Sequence, residues 1–260
     1  MVQQRTSAQN PKIKKLIALQ QKSSERRESG LFTVEGLREI GHCAEAGYEF
    51  HSIFYCPEIL RKDVRLPEAR NVFEVTGQVY SKIALREGTE GIVAEVMERS
   101  LSLDGLKLKE NPLIVVLESV EKPGNLGAVL RSADAAGADA VIVCDPLTDL
   151  FNPNLIRASI GAVFTVPTVA CGSEEAIRWL KSKGISILTA QLQDSRLYYD
   201  TDMTKGTAIV MGTESTGLSD IWRKAADAHI RIPMLGRLDS LNVSVSAAIL
   251  LFEAVRQRNA

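Results

Sequence analysis

Three short stretches put residues able to do chemistry directly after apolar runs. In LESVEKPGNLGAVLRSADAAG (residues 117–137), Asn125 stands where a helix N-cap belongs, and Leu126, Val129, Leu130, Ala133 and Gly137 recur at helical spacing. Arg131 falls off that apolar side, near the first turns. It reads either as an exposed arginine on an amphipathic helix or as a guanidinium displayed for an anion. In AIVMGTESTGLSDIW (208–222), Gly212 and Gly217 flank Glu214 just past a strand-like run, where an α/β enzyme displays a functional acid. Ser219 follows as a helix start with its own capping hydroxyl. In IPMLGRLDSLNVSVSAAILLFEAVRQR (232–258), Ser240, Asn242, Ser244 and Ser246 interrupt an apolar run. Buried hydroxyls and amides are costly unless something bonds them. They mark either a half-buried strand or a ligand-holding loop that turns into a buried helix.

The elements that would position these residues alternate. PLIVVLES, DAVIVCD, FTVPTVA, ISILTAQ, AIVMGTE and HIRIPM are short, apolar, β-branched-rich runs that read as buried parallel strands. NLGAVLRSADAAG, EEAIRWLKSKG and LSDIWRKAAD read as the helices between them, and the chain ends in a long apolar helix. Such a sheet binds ligands at the carboxyl ends of its strands. Upstream, residues 11–28 read as one helix, followed by LFTVEG (strand), LREIGHCAEAG (helix), FHSIFYC and GIVAEVME (strands). SLDGLKLKENP is polar and carries Gly105 and Pro112. The expected division is therefore a first domain at 1–101, a linker at 102–112 and an α/β domain at 113–260.

Composition narrows the function. The 260 residues are 45% apolar and 24% charged, ordinary for a soluble globular protein, with no run long enough to span a membrane and no secretory leader. Four scattered cysteines without a C-x-x-C pair suggest reduced thiols and a cytoplasmic protein. Three histidines, none at ligand spacing to cysteines or carboxylates, argue against a metal site. Net charge is −1, but residues 1–30 hold seven Lys or Arg against two acids. That local excess is either a solvated face or a phosphate-contacting one. A P-loop and a G-x-G-x-x-G fingerprint are both missing after LIVVLES, which weakens a Rossmann reading with Asp145 as ribose acceptor.

Taken together and in order, G-N-x-G-x-x-x-R, G-x-E-x-x-G-L and I-P-M-x-G-x-x-x-S-L-N-V-S-V resemble the SpoU (TrmH) family of the SPOUT superfamily, RNA ribose 2′-O-methyltransferases. The likeness spans 113–256, and FTVEGLREIGHCAEAG makes the N-terminal part similar to an L30e-like RNA substrate-binding domain. The resemblance implies a parallel α/β sheet with a C-terminal trefoil knot, S-adenosylmethionine as cofactor, no metal, and a homodimer. By the same resemblance Arg131, Asn125, Glu214, Ser240 and Asn242 are the catalytic set. Gly212, Ile232, Leu241, Ala190, Gly217 and Gly236 would hold the cofactor. Lys12, Lys14, Lys15, Arg26, Arg27 and Arg38 would meet RNA, ribosomal RNA first and transfer RNA second. A non-catalytic RNA-binding or ribosome-assembly factor on the same scaffold is the competing expectation.

Overall fold

The computed structural model describes residues 3–5, 9–85, 90–213 and 216–260. In chain order the strands and helices are β1 (Gln3–Arg5), α1 (Pro11–Gln21), α2 (Ser23–Ser29), β2 (Leu31–Glu35), α3 (Leu37–Glu45), β3 (Phe50–Tyr55), β4 (Ala69–Val75), α4 (Gly77–Ile83) and β5 (Ile92–Met97). There follow β6 (Leu113–Glu118), α5 (Pro123–Ala135), β7 (Ala140–Cys144), α6 (Pro153–Ala158), α7 (Ala162–Thr165), β8 (Thr168–Cys171) and α8 (Ser173–Ser182). The chain closes with β9 (Ser186–Ala190), β10 (Arg196–Leu197), β11 (Thr207–Met211), α9 (Asp220–Ala225), β12 (Ala228–Arg231) and α10 (Val243–Arg258). Two compact units result: residues 1–99 with 149–165, and residues 100–148 with 166–260.

The first unit is built on a five-stranded mixed sheet ordered β1-β4-β3-β5-β2. Residues 11–28 do not make one helix. Lys22 leaves helical geometry at φ −121° and ψ 121°, so α1 stops and α2 begins anew. α1 keeps Ile13, Leu16 and Leu19 against the sheet while Lys12, Lys14 and Lys15 stay exposed. Residues 149–165 belong to this unit because their aromatic rings do. Phe151 stacks on Phe32 at 4.3 Å between centroids, and Phe164 meets Tyr48 edge-on at 5.2 Å. Asp149 also pairs with the buried guanidinium of Arg26 at 2.6 Å. This placement differs from an α/β domain running unbroken from 113 to 260. It also shortens the expected FTVPTVA strand, since Phe164 and Thr165 end α7 and β8 starts only at Thr168.

The second unit carries a seven-stranded sheet, ordered β10-β12-β9-β11-β6-β7-β8, with every pairing parallel. Its central strands are buried end to end, which is why they read as unbroken apolar runs rather than alternating ones. Residues 102–112 are not a linker. Leu103 is buried in the core of this unit, and Leu106 and Leu108 pack against it. α5 and α8 end where expected, each followed by a glycine at positive φ, Gly137 at 64° and Gly184 at 66°. α10 packs along α5, placing the third motif beside the first. No helix among the described residues is long and apolar enough to cross a membrane.

Candidate active site

Strand order in the second unit reverses around β6: the chain runs outward through β7 and β8, then returns to build β9, β11 and β12 on the other side. A cleft of about 360 Å³ opens at the carboxyl ends of those last three strands, where such sheets take ligands. Its floor is Ala190, Met211, Gly212 and Ile230, and its wall is Ile232, Met234, Ser240 and Leu241, with Val243, Ser246 and Leu250 of α10 behind.

Gly212 is forced by space. A Cβ there would overlap the carbonyl of Gly217 and come 2.6 Å from the Leu218 nitrogen. The turn is closed by the Gly217 N–H donating to the Thr213 carbonyl at 3.0 Å, with Gly217 at φ 65°. These two glycines let backbone, rather than side chains, approach whatever occupies the cleft.

Asn242 settles the strand-or-loop question in favour of the loop. It is the N-cap of α10: its Oδ1 accepts from the Ser244 N–H at 2.9 Å and the Ser244 hydroxyl at 2.7 Å. Its Nδ2 donates to Asn125 Oδ1 at 3.1 Å, so one side chain both starts the last helix and ties it to the first motif. Asn125 is not an N-cap. Pro123, with its fixed φ, opens α5 after Lys122, which puts Asn125 in the third helical position. Six residues on, Arg131 is exposed, and no hydrogen bond or ion pair to a described residue occupies its guanidinium.

The expected cofactor residues Gly212, Ile232, Leu241, Ala190 and Gly217 all line the cleft, as does Ser240. Gly236 is exposed and is not among the lining residues. Glu214 lies outside the described residues. The Ser219 hydroxyl does not cap α9; it donates to Glu118 at 2.5 Å. Asp145 accepts from the Ser173 hydroxyl at 2.5 Å and so ties the end of β7 to the start of α8. Arg26 is not available to RNA as expected: 4% exposed, bonded to Asp149 and to the Leu19 carbonyl, it holds the first unit together instead of meeting a ligand. Lys12, Lys14, Lys15, Arg27 and Arg38 are exposed, Arg38 with Glu39 at 3.2 Å. Arg223, Arg231 and Asp239 also line the cleft, unmarked by any motif. Arg231 is committed to Ser195, and the Arg223 Nε is buried without a hydrogen-bond partner among the described residues. Among the described residues no group of three or more His, Cys, Asp or Glu could hold a metal ion.

The model of the SpoU rRNA Methylase family matches residues 112–252. The chain belongs to that family. The match covers the whole cleft and all three motifs of the SpoU region. Residues 10–94 match the MRM3-like substrate binding domain. The chain is 31% identical to the 23S rRNA (uridine(2479)-2′-O)-methyltransferase of Streptomyces viridochromogenes, over 98% of this chain and 92% of that one. It is also 31% identical to the 23S rRNA (guanosine(2553)-2′-O)-methyltransferase of Bacillus subtilis, over 95% of this chain and 96% of the other. Among solved structures, the AdoMet-bound rRNA methyltransferase from Sinorhizobium meliloti superposes with a TM-score of 0.88, at 32% identity and 98% coverage of both chains.

Proposed function

We infer that this SpoU chain is an S-adenosylmethionine-dependent methyltransferase acting on ribose 2′-hydroxyls of ribosomal RNA. The observation that carries the reading is the hydrogen bond from Asn242 to Asn125, which joins the cleft wall to the helix bearing the exposed Arg131. The donor fits the cleft: apolar Met211, Ile230, Ile232 and Leu250 suit a purine, and Gly212 and Gly217 leave room for backbone contact. S-adenosylmethionine supplies an already activated methyl group, so the protein needs to position and deprotonate a hydroxyl.

Arg131 binds the phosphate next to the target ribose and stabilises the developing 2′-oxyanion. A guanidinium has no acceptor lone pair, so the proton goes to a phosphate oxygen or water. Asn125 and Asn242 hold the ribose or the arginine, and Ser240 lines the cleft beside them. The return segment from Ile232 to Asn242 forms the trefoil knot. That this segment lines the cleft immediately before α10 begins is what supports the assignment. The first unit is the L30e-like part, capturing folded RNA through phosphates with Lys12, Lys14, Lys15 and Arg27, all exposed. A homodimer is supported by Leu235, Leu238, Val245 and Phe252, apolar side chains left 96, 76, 47 and 48% exposed on the return segment and α10. The four free thiols fit a cytoplasmic enzyme.

Incubating the protein with labelled donor and total RNA, then mapping alkali-resistant linkages, tests the reading. Label in 23S rRNA is expected. Label confined to transfer RNA would move the substrate, and a calorimetric titration without saturable donor binding would leave only a scaffold. Arg131→Ala is expected to cut turnover by about a hundredfold while leaving donor affinity unchanged.

A further inference from the structure

Glu118 ends β6 and is 6% exposed, yet no step above uses it. A buried carboxylate is costly unless donors surround it. Here Oε2 accepts from the Ser219 N–H at 2.8 Å and Oε1 accepts from the Ser219 hydroxyl at 2.5 Å, with the Ser173 hydroxyl oxygen 3.4 Å from Oε1. Ser173 in turn accepts from the buried Trp222 Nε1 at 3.0 Å and donates to Asp145 at 2.5 Å. The network ties the ends of β6 and β7 to the starts of α8 and α9. Backbone strain accompanies it: Ser119 and Asp145, the residues just past β6 and β7, both sit at positive φ, 53° and 48°. Side chains rarely adopt such a backbone conformation unless their surroundings hold it.

The contact reaches the cleft through one peptide. Ser219 directly follows Gly217 and Leu218, which line it, and those two residues press so closely on Gly212 that no Cβ fits between. Any shift of Ser219 moves this wall. We propose that Glu118 is a positioning residue for the methyl donor, holding Ser219 so that Gly217 and Leu218 keep the shape of the cofactor cleft. The proposal rests on the donor-binding reading above. It predicts that loss of the carboxylate weakens donor binding and spares the chemical step, because Arg131 and Asn125 sit on α5, outside this network.

Full-length Glu118→Gln, Ser219→Ala, the double variant and Asp145→Asn are compared with the unaltered protein for donor KM, kcat at saturating donor, and melting temperature. Glu118→Gln is expected to raise the donor KM about tenfold, with kcat within about threefold, since the amide keeps only one of the two acceptor oxygens that hold Ser219 and drops the negative charge. Ser219→Ala keeps the backbone bond and raises KM about threefold, and the double variant is no worse than Glu118→Gln alone. Asp145→Asn, which touches Ser173 but not Ser219, lowers the melting temperature without moving KM. An unchanged donor KM in Glu118→Gln, or an equal rise in Asp145→Asn, overturns the proposal. If Glu118→Gln does not fold, calorimetry on Ser219→Ala decides, and wild-type donor affinity overturns it. An unaltered protein that fails to bind the donor overturns the functional reading instead.

Discussion

Asn242 shows how a single side chain can answer both for stability and for the site. Its oxygen caps α10 and its amide nitrogen reaches Asn125. Asn242→Ala is expected to cost about 1 kcal/mol of stability through the cap alone, seen as a lower melting temperature. Turnover should fall further than that loss explains, and Asn242→Asp should restore the cap but not the turnover, because a carboxylate cannot donate to Asn125. The thiols give an independent check on burial. Burial pushes the Cys43 thiol up to about 12. Cys171 is drawn below its ordinary value, chiefly by the hydrogen bond from Cys144. Cys171, half-buried and richer in thiolate at neutral pH, is expected to be alkylated first by iodoacetamide, with Cys43, Cys56 and Cys144 lagging. Mass spectrometry of a timed reaction reads the order, and labelling of Cys171 should set in at a lower pH than for an ordinary thiol.

At the scale of elements, the turn between β11 and α9 is the least tolerant part of the site. Gly212→Ala would drive a methyl into Gly217 and must open the turn. Loss of measurable donor binding by calorimetry, with the far-ultraviolet dichroism unchanged, is the expected outcome. That glycine was legible because few other reasons put two glycines around an acid straight after an apolar run. The parallel strands were legible for a similar local reason, each being buried along its whole length. Arg223 and Asp239 were not, since nothing near them in sequence says that α9 and the return segment face one cleft. The break at Lys22 was equally invisible: α1 and α2 share a helical composition, and the chain simply turns between them.

Across the whole molecule, long-range pairs decided what sequence could not. Arg26 looked like one more cation in a basic segment, but its partner Asp149 lies 123 residues away. Asp149→Ala would strand a guanidinium whose side chain is 5% exposed and is expected to destabilise the first unit by about 3 kcal/mol, read by differential scanning calorimetry. The aromatic stack of Phe32, Phe151 and Phe164 has the same origin, and Phe151→Ala should cost about 3–5 kcal/mol there.

That detour of residues 149–165 also sets an order of events during translation. Domains generally fold as they emerge, the N-terminal one first. Here the leading ninety-nine residues cannot complete their aromatic core until Phe164 has left the ribosome, and by then β6 and β7 are already outside. The nascent polypeptide must therefore hold one half-built body in waiting while it starts the next, and a gene cut after Arg99 should yield a product that sticks to chaperones unless 149–165 is supplied in trans.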